Sequence, residues 1–293
     1  MLARDLIAKV RKIEIKTRKL VEELTGGAYH SVFKGRGIEF SEVREYTPED
    51  DVRDIDWNVT ARMGVPYIKK YAEERELTVI IAIDASASVF FGSGAETKHD
   101  RIAETAALLA FSAIRNNDKV GLLVFTDKTE LWLPPRSGRS HVLRLIRELL
   151  AFQPRSPRTD IGSAMDSLIR NLKKRAVVFL ISDFLDTHSY EKPMKILNSR
   201  HDLVAVRVLD KTELELPPMP MLEFEDSESG ETLFFDASSP FLRDQYAKAA
   251  EQQMEEECET FHRAKVDLVD LRCDGDMVRP LMAFFRNRKR KRG

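Results

Sequence analysis

The sequence predicts an α/β protein: a doubly wound, mostly parallel sheet flanked by helices, preceded by an N-terminal helix and an irregular segment. Three observations predict it. From residue 77 onward, short apolar β-branched runs alternate with helical stretches of about 10–15 residues. The runs at 77–84 and 176–182 are short and mostly apolar, as expected of strands covered on both faces. The 293 residues are 43% hydrophobic, enough for a sizeable core, so whole-chain disorder is excluded.

Taken in order, residues 2–24 read as a helix. Leu6, Val10, Ile13, Thr17, Leu20 and Leu24 recur at spacings of 4, 3, 4, 3 and 4. That makes a narrow apolar stripe, with Lys and Arg mostly off it. It serves either to pack on its own domain or to bind a partner or second copy. Gly26 and Gly27 stop the helix. Residues 28–76 hold no lasting helix or strand period. Their Gly, charge and aromatic content, with Phe33, Phe40, Tyr46 and Trp57, predicts an ordered irregular segment laid over a core. Strands follow at 77–84, 119–125, 176–182, 202–209 and 265–271, with a short edge strand at 128–133. Helices are predicted at 101–117, 138–151, 160–174, 190–199 and 239–263, with Thr159 or Asp160 capping the third. Residues 211–239, with Pro217, Pro218 and Pro220, read as a loop or small hairpin. Domain limits follow at 1–27, 28–76, 77–275 and a basic tail at 276–293. The tail has six basic residues among its last eight and reads as a solvated end.

Charge and cysteine content narrow the function classes. Lys plus Arg is 47 and Asp plus Glu 48, which argues against an electrostatically driven nucleic-acid binder. Cys258 and Cys273 are too few for a zinc site and fit a reducing compartment. Apolar runs such as Val79 to Ile83 and Ala176 to Ile181 span only five and six residues, against about 20 for a membrane helix. No secretory h-region opens the chain, so a cytoplasmic location is expected.

In an open α/β sheet, ligands bind beyond the carboxyl ends of the strands. Three features fall there: Asp84, Ser86 and Ser88 after the first strand, Thr159 before a helix, and Ser182-Asp183 closing a central strand. Two carboxylates and several hydroxyls from separate loops form an oxygen-only set suited to a hard divalent cation, Mg²⁺ first, with Mn²⁺ or Ca²⁺ as other candidates. With few direct carboxylates, the metal stays electrophilic toward an external anion. Alternatively, the hydroxyls cap helices and the aspartates bind nearby amides.

Residues 77–271 resemble a von Willebrand factor A (vWA) domain, a Rossmann-like fold. The Asp84-x-Ser86-x-Ser88 motif, Thr159 and Asp183 are similar in order and placement to its metal-ion-dependent adhesion site. The resemblance implies that the hydroxyls lie on or next to the metal, that the aspartates act mainly through waters, and that a partner's acidic side chain completes the shell. Arg158 stands where a glycine commonly precedes the threonine, and Phe184 where one often follows the aspartate. The preceding segment, Gly35-Arg36-Gly37-Ile38-Glu39-Phe40, Arg44-Glu45-Tyr46, Asp50 to Trp57 and Ala61-Arg62, resembles the signature of the bacterial domain-of-unknown-function family 58. Ser182-Asp183-Phe184-Leu185-Asp186 is similar to that family's last metal motif. Some members carry N-terminal membrane helices; the charged helix here implies a soluble version. Physically, Arg44, Arg53 and Arg62 with Asp50, Asp51, Asp54 and Asp56 form a candidate charged network locking the segment down.

The expected function is a non-enzymatic, metal-dependent protein-binding module. The family resemblance implies an adaptor working with a MoxR-type AAA+ ATPase in assembly or activation of a client that offers an acidic residue. No P-loop is present, the GxG fragments lack a dinucleotide fingerprint, the histidines are scattered, and Ser86 lacks a nucleophile elbow. A metal-dependent phosphate-ester hydrolase using Asp84 is the enzyme alternative. A metal-free scaffold dimerising through residues 2–24 is the structural one.

Overall fold

The structure, a computed structural model, describes residues 3–25, 39–48, 50–72, 76–94, 96–225 and 230–292. Gly26, Gly27, Tyr29, Phe33 and residues 35–38 of the signature lie outside them. The elements are α1 (Ala3–Thr25), β1 (Glu39–Glu45), α2 (Trp57–Met63), β2 (Tyr67–Ala72), β3 (Thr78–Asp84), α3 (Lys98–Arg115), β4 (Lys119–Phe125), β5 (Thr129–Arg136), α4 (Arg139–Ala151), α5 (Ile161–Asn171), β6 (Val177–Ser182), α6 (Glu191–Arg200), β7 (Asp202–Leu209), α7 (Lys211–Leu214), β8 (Leu222–Glu225), β9 (Thr232–Phe235), α8 (Pro240–Ala264), β10 (Asp267–Arg272) and α9 (Val278–Arg292). They form two compact units, residues 34–76 and residues 1–33 with 77–293.

The larger unit is the α/β fold that the alternating pattern predicts. Six strands run in the order β10-β7-β6-β3-β4-β5, all parallel except the β4–β5 pair. Two-residue periodicity sends alternate side chains to opposite faces. Val79, Ile81, Ile83, Val120, Leu122, Val124, Phe179 and Ile181 pack with the apolar residues of α1, α3, α4 and α9. Ile80, Ala82, Leu123, Phe125, Val178 and Leu180 pack with those of α5, α6 and α8. Each central strand is therefore buried on both sides, which is why its sequence reads as an unbroken apolar run.

The stripe on α1 faces its own domain. Ile13 and Val21 are buried in the core, and Thr17, fully buried, donates its hydroxyl to the Ile13 carbonyl at 2.8 Å. Lys9 pairs with Asp100 at 2.8 Å and Lys16 with Glu104 at 2.6 Å, tying α1 to α3. The described residues of that stripe are wholly or partly covered within the chain, which favours packing on its own domain over a dimer through residues 2–24. The expectation of a solvated basic tail is corrected. It continues α9, whose Leu281 and Phe285 are completely buried and whose Arg288 pairs with Asp202 at 2.6 Å and Asp267 at 2.5 Å. Apolar residues at 281, 284 and 285, with the paired Arg288, give the helix one face on the core, while Arg286, Lys289 and Arg290 are exposed.

The smaller unit has more regular structure than its texture predicts. β1 and β2 pair antiparallel, with a register shift between Phe40 and Glu42. Asp56 caps α2 by accepting from the Asn58 and Val59 amides. The pairing joins residues from 22 (Glu45 with Tyr67) to 33 (Glu39 with Ala72) positions apart, so no local period announces it. Of the expected charged network, Arg44 forks onto Asp50 at 2.9 and 2.6 Å, and Asp50 also accepts the Thr47 amide and hydroxyl. Asp51 accepts the Arg53 amide. These bonds shape turns inside the unit.

Candidate metal centre

The strand order reverses at β3. The chain goes from β3 to β4 on one side, then returns to lay β6, β7 and β10 on the other. Such a reversal leaves a crevice at the carboxyl ends of the two flanking strands. Asp84 closes β3 and Asp183 follows β6, so both carboxylates stand at that crevice.

The hydrogen bonds there show how the loops meet. Asp84 accepts the Ser86 amide at 2.9 Å on one oxygen and the Ser182 hydroxyl at 2.6 Å on the other, a bond across the β3–β6 junction. The Ser86 and Ser88 hydroxyl oxygens are 3.1 Å apart. The Ala87 amide donates to the Pro157 carbonyl at 2.9 Å, holding the serine loop against the Thr159 loop. Two residues past Thr159, the Ile161 amide donates to Asp186 at 2.8 Å, tying the same loop to the one that carries Asp183. All three predicted segments are thus joined by direct bonds. Asp84, Ser86, Thr159 and Asp183 are buried, each at most 3% exposed, and Ser88 is half-buried.

Helix capping does not account for the hydroxyls. The Ser86 side chain makes no cap bond, and Asp160, not Thr159, caps α5 by accepting the Ser163 amide at 2.7 Å. Thr159 Oγ1 is buried without a hydrogen-bond partner among the described residues. A buried hydroxyl left this way calls for an explanation in an unseen ligand, ion or water. The aspartates do bind amides, as Asp183 also does at Leu185 (3.3 Å). Among the described residues no group of three or more His, Cys, Asp or Glu is placed to hold a metal ion. A cation here would rest on hydroxyls, with two carboxylates alongside.

Electrostatics sharpens the picture. Burial, and then the charge of Asp183, push the Asp84 carboxyl well above the ordinary aspartate range. Lys98, the first residue of α3 and 1% exposed, donates to Asp183 at 2.7 Å and to Glu213 of α7 at 2.5 Å. Burial acts against its charge, yet Asp183 and then Glu213 outweigh it and raise its pKa. Glu213 is steadied by the turn around Asp210, which accepts the Ser93 hydroxyl at 2.5 Å and caps α7. Sequence reading finds neither Lys98 nor Glu213. Lys98 follows a Thr97–Asp100 capping box, an ordinary helix start, and nothing local marks it as an interior cation.

Phe184 explains one departure from the resembled pattern. Its φ is +62°, a left-handed backbone that favours glycine. The ring is 2% exposed and packs edge-on against Phe261 at 4.9 Å, so burial offsets the backbone strain. Phe90, Phe91 and Leu185, beside the serine loop and the Asp183 loop, are exposed at 41, 43 and 40%.

Fold and side chains together define a class: an α/β protein with a buried cluster of oxygen-bearing side chains at the reversal point of its sheet. The chain belongs to the family described as protein of unknown function DUF58, whose model matches residues 42–256. An uncharacterized protein of Mycobacterium tuberculosis is 32% identical over 288 residues, covering 97% of this chain and 90% of the relative. Among solved structures, an aerotolerance-related membrane protein from Bacteroides fragilis is 17% identical and covers 73% of this chain and 99% of that one, with a TM-score of 0.48. The SpRpn10 VWA domain is 11% identical over 71% of this chain and 94% of that one, with a TM-score of 0.39. Among the described residues, no helix is long and apolar enough to cross a membrane.

Proposed function

We propose that the chain is a non-enzymatic protein-binding module in which Ser86, Ser88 and Thr159 hold a divalent cation, Mg²⁺ first, with Asp84 and Asp183 acting mainly through water. The observation that carries this reading is the buried Thr159 hydroxyl, without a hydrogen-bond partner among the described residues, in a loop bonded to both the serine loop and the Asp183 loop. The donor set is oxygen throughout, as a hard cation requires. When bound, the cation supplies an electrophilic position for a carboxylate of the partner. The protein's own residues do the rest. Asp84 fixes the serine loop through the Ser86 amide, and Ser182 fixes Asp84. The exposed Phe90, Phe91 and Leu185 offer an apolar rim for the residues flanking that acid.

The partner is then a protein that presents an acidic side chain beside apolar ones, with a MoxR-type AAA+ ATPase or its client as the candidate. Binding without turnover is preferred, because among the described residues no group of three or more His, Cys, Asp or Glu is placed to hold a metal, and Asp84 and Asp183 are each already engaged by the protein's own donors. The test is capture of that ATPase and its co-encoded clients by immobilised full-length protein, with Mg²⁺ or with chelator. Capture should need Mg²⁺ and fall at least tenfold in Ser86→Ala. Equal capture under both conditions refutes the metal bridge. Chelator-sensitive hydrolysis of a generic phosphate ester, lost in Asp84→Asn, would refute the non-enzymatic reading.

A further inference from the structure

Lys98 stands in an unfavourable place for a cation. It is 1% exposed, and it opens α3, where the helix dipole presents its positive end. A lysine here persists only because something holds it, and two carboxylates do: Asp183 at 2.7 Å and Glu213 at 2.5 Å. Asp183 is also one of the two acids at the crevice. Its Oδ2, which takes the Lys98 proton donor, is therefore not free to act on a cation's water shell. Glu213 is held independently. The Asp210 turn fixes it, with the Asp210 amide donating to the second Glu213 oxygen at 2.8 Å.

We propose that Lys98 is an internal cation that competes with the bound metal for Asp183, with Glu213 as the anchor it keeps when the metal enters. This deepens the metal reading above and rests on it. In the metal-free protein the ammonium neutralises Asp183 and keeps the crevice closed and folded. When a divalent cation binds, the ammonium yields Asp183 and remains on Glu213. The metal's affinity is thereby held below what the oxygen set alone would give, and the short helix α7 feels whether the site is loaded. Since α7 also touches α8, where the Tyr246 hydroxyl donates to the Thr212 carbonyl at 3.1 Å, loading is communicated to the long helix.

The experiment is calorimetric titration of MgCl₂ into metal-stripped full-length protein: wild type, Lys98→Met, Lys98→Arg and Glu213→Gln. Thermal melting is followed in parallel, with and without Mg²⁺. Lys98→Met should bind Mg²⁺ at least tenfold more tightly, melt lower when metal-free and recover on adding Mg²⁺. Lys98→Arg keeps the charge and should stay within about threefold of wild type. Glu213→Gln leaves the ammonium only Asp183 and should weaken Mg²⁺ at least threefold; this variant carries the test should Lys98→Met fail to fold. Tighter binding by Lys98→Met when wild type shows none also supports the proposal. Wild type that binds Mg²⁺ while Lys98→Met binds no better overturns the competition and leaves the metal reading standing. So does equal tightening by Lys98→Arg, or an unchanged or tighter Glu213→Gln. Absence of Mg²⁺ binding in wild type and Lys98→Met alike overturns both readings.

Discussion

Asp84→Asn should make the metal-free protein more stable and the metal-responsive protein unresponsive. The carboxyl is 1% exposed, and burial and the Asp183 charge push it up to about 7. From the ordinary value of 3.8 to about 7 is roughly three pH units, and at 1.36 kcal/mol each this sets a ceiling of ~4 kcal/mol on the destabilisation from the buried charge. Asparagine is isosteric but must place an amide where both oxygens now accept, from the Ser86 amide and the Ser182 hydroxyl. That mismatch returns about 1–3 kcal/mol. The net gain at pH 8 in chelator is then about 1–3 kcal/mol, a Tm rise of roughly 2–4 °C per kcal/mol. The sign with pH follows. A folded carboxyl value above the unfolded one means the native state binds the extra proton, so the stability Asp84 allows is complete below about 3.8 and falls as pH rises to about 7. The advantage of asparagine should grow toward pH 8 and turn into a deficit of about 1–3 kcal/mol near pH 4, where only the amide mismatch remains. Mg²⁺ should raise the wild-type Tm and leave the variant's unchanged. A variant less stable than wild type at pH 8, or a difference flat between pH 4 and 8, would refute the reasoning.

Three further outcomes are expected. Arg207 has a fully buried side chain and bridges Asp270 at 2.8 Å and Glu257 at 2.7 Å, so Arg207→Met should cost about 3 kcal/mol in urea unfolding; a loss under about 1 kcal/mol would show that the carboxylates rehydrate freely. Phe285→Ala on α9 should cost about 3–5 kcal/mol, whereas a true solvated tail would lose almost nothing. In the smaller unit, the Arg44 fork and then Thr47 hold the Asp50 carboxyl down at about 2. Its stabilisation, complete above 3.8, should be lost as pH falls from 3.8 toward 2, and an ordinary carboxyl titration by NMR would contradict this.

The sheet was legible because its strands carry their own evidence. The run at 202–209 reads as a strand from β-branched content alone and matches β7 residue for residue. The common placement of the candidate residues was legible for a related reason: a doubly wound sheet forces strand ends to one rim, so Asp84, Thr159 and Asp183 could be assigned to one edge from order alone. What stayed hidden depends on distant partners. β1 and β2 need each other, and neither has an apolar run. The α9 face needs the sheet beneath it before Phe284 and Phe285 outweigh the surrounding Arg and Lys. Lys98 looks like any helix-opening lysine until Glu213, 115 positions away, is placed beside it.

Those hidden partners separate two kinds of buried charge in one molecule. Arg207 lies between two carboxylates, and each of its described bonds goes to β10 or α8. Its cluster closes on itself and fastens β7 to its neighbours, a structural use of charge. At the β3–β6 crevice the accounts do not close. Lys98 satisfies Asp183 and Glu213, yet Asp84 remains buried and ionisable with only neutral donors, and Thr159 keeps an unmatched hydroxyl. Apolar residues of similar size would stabilise this rim more than the present set does. Such a cluster is what the proposed cation and acidic partner would complete, since together they would supply the positive charge Asp84 lacks and a contact for Thr159.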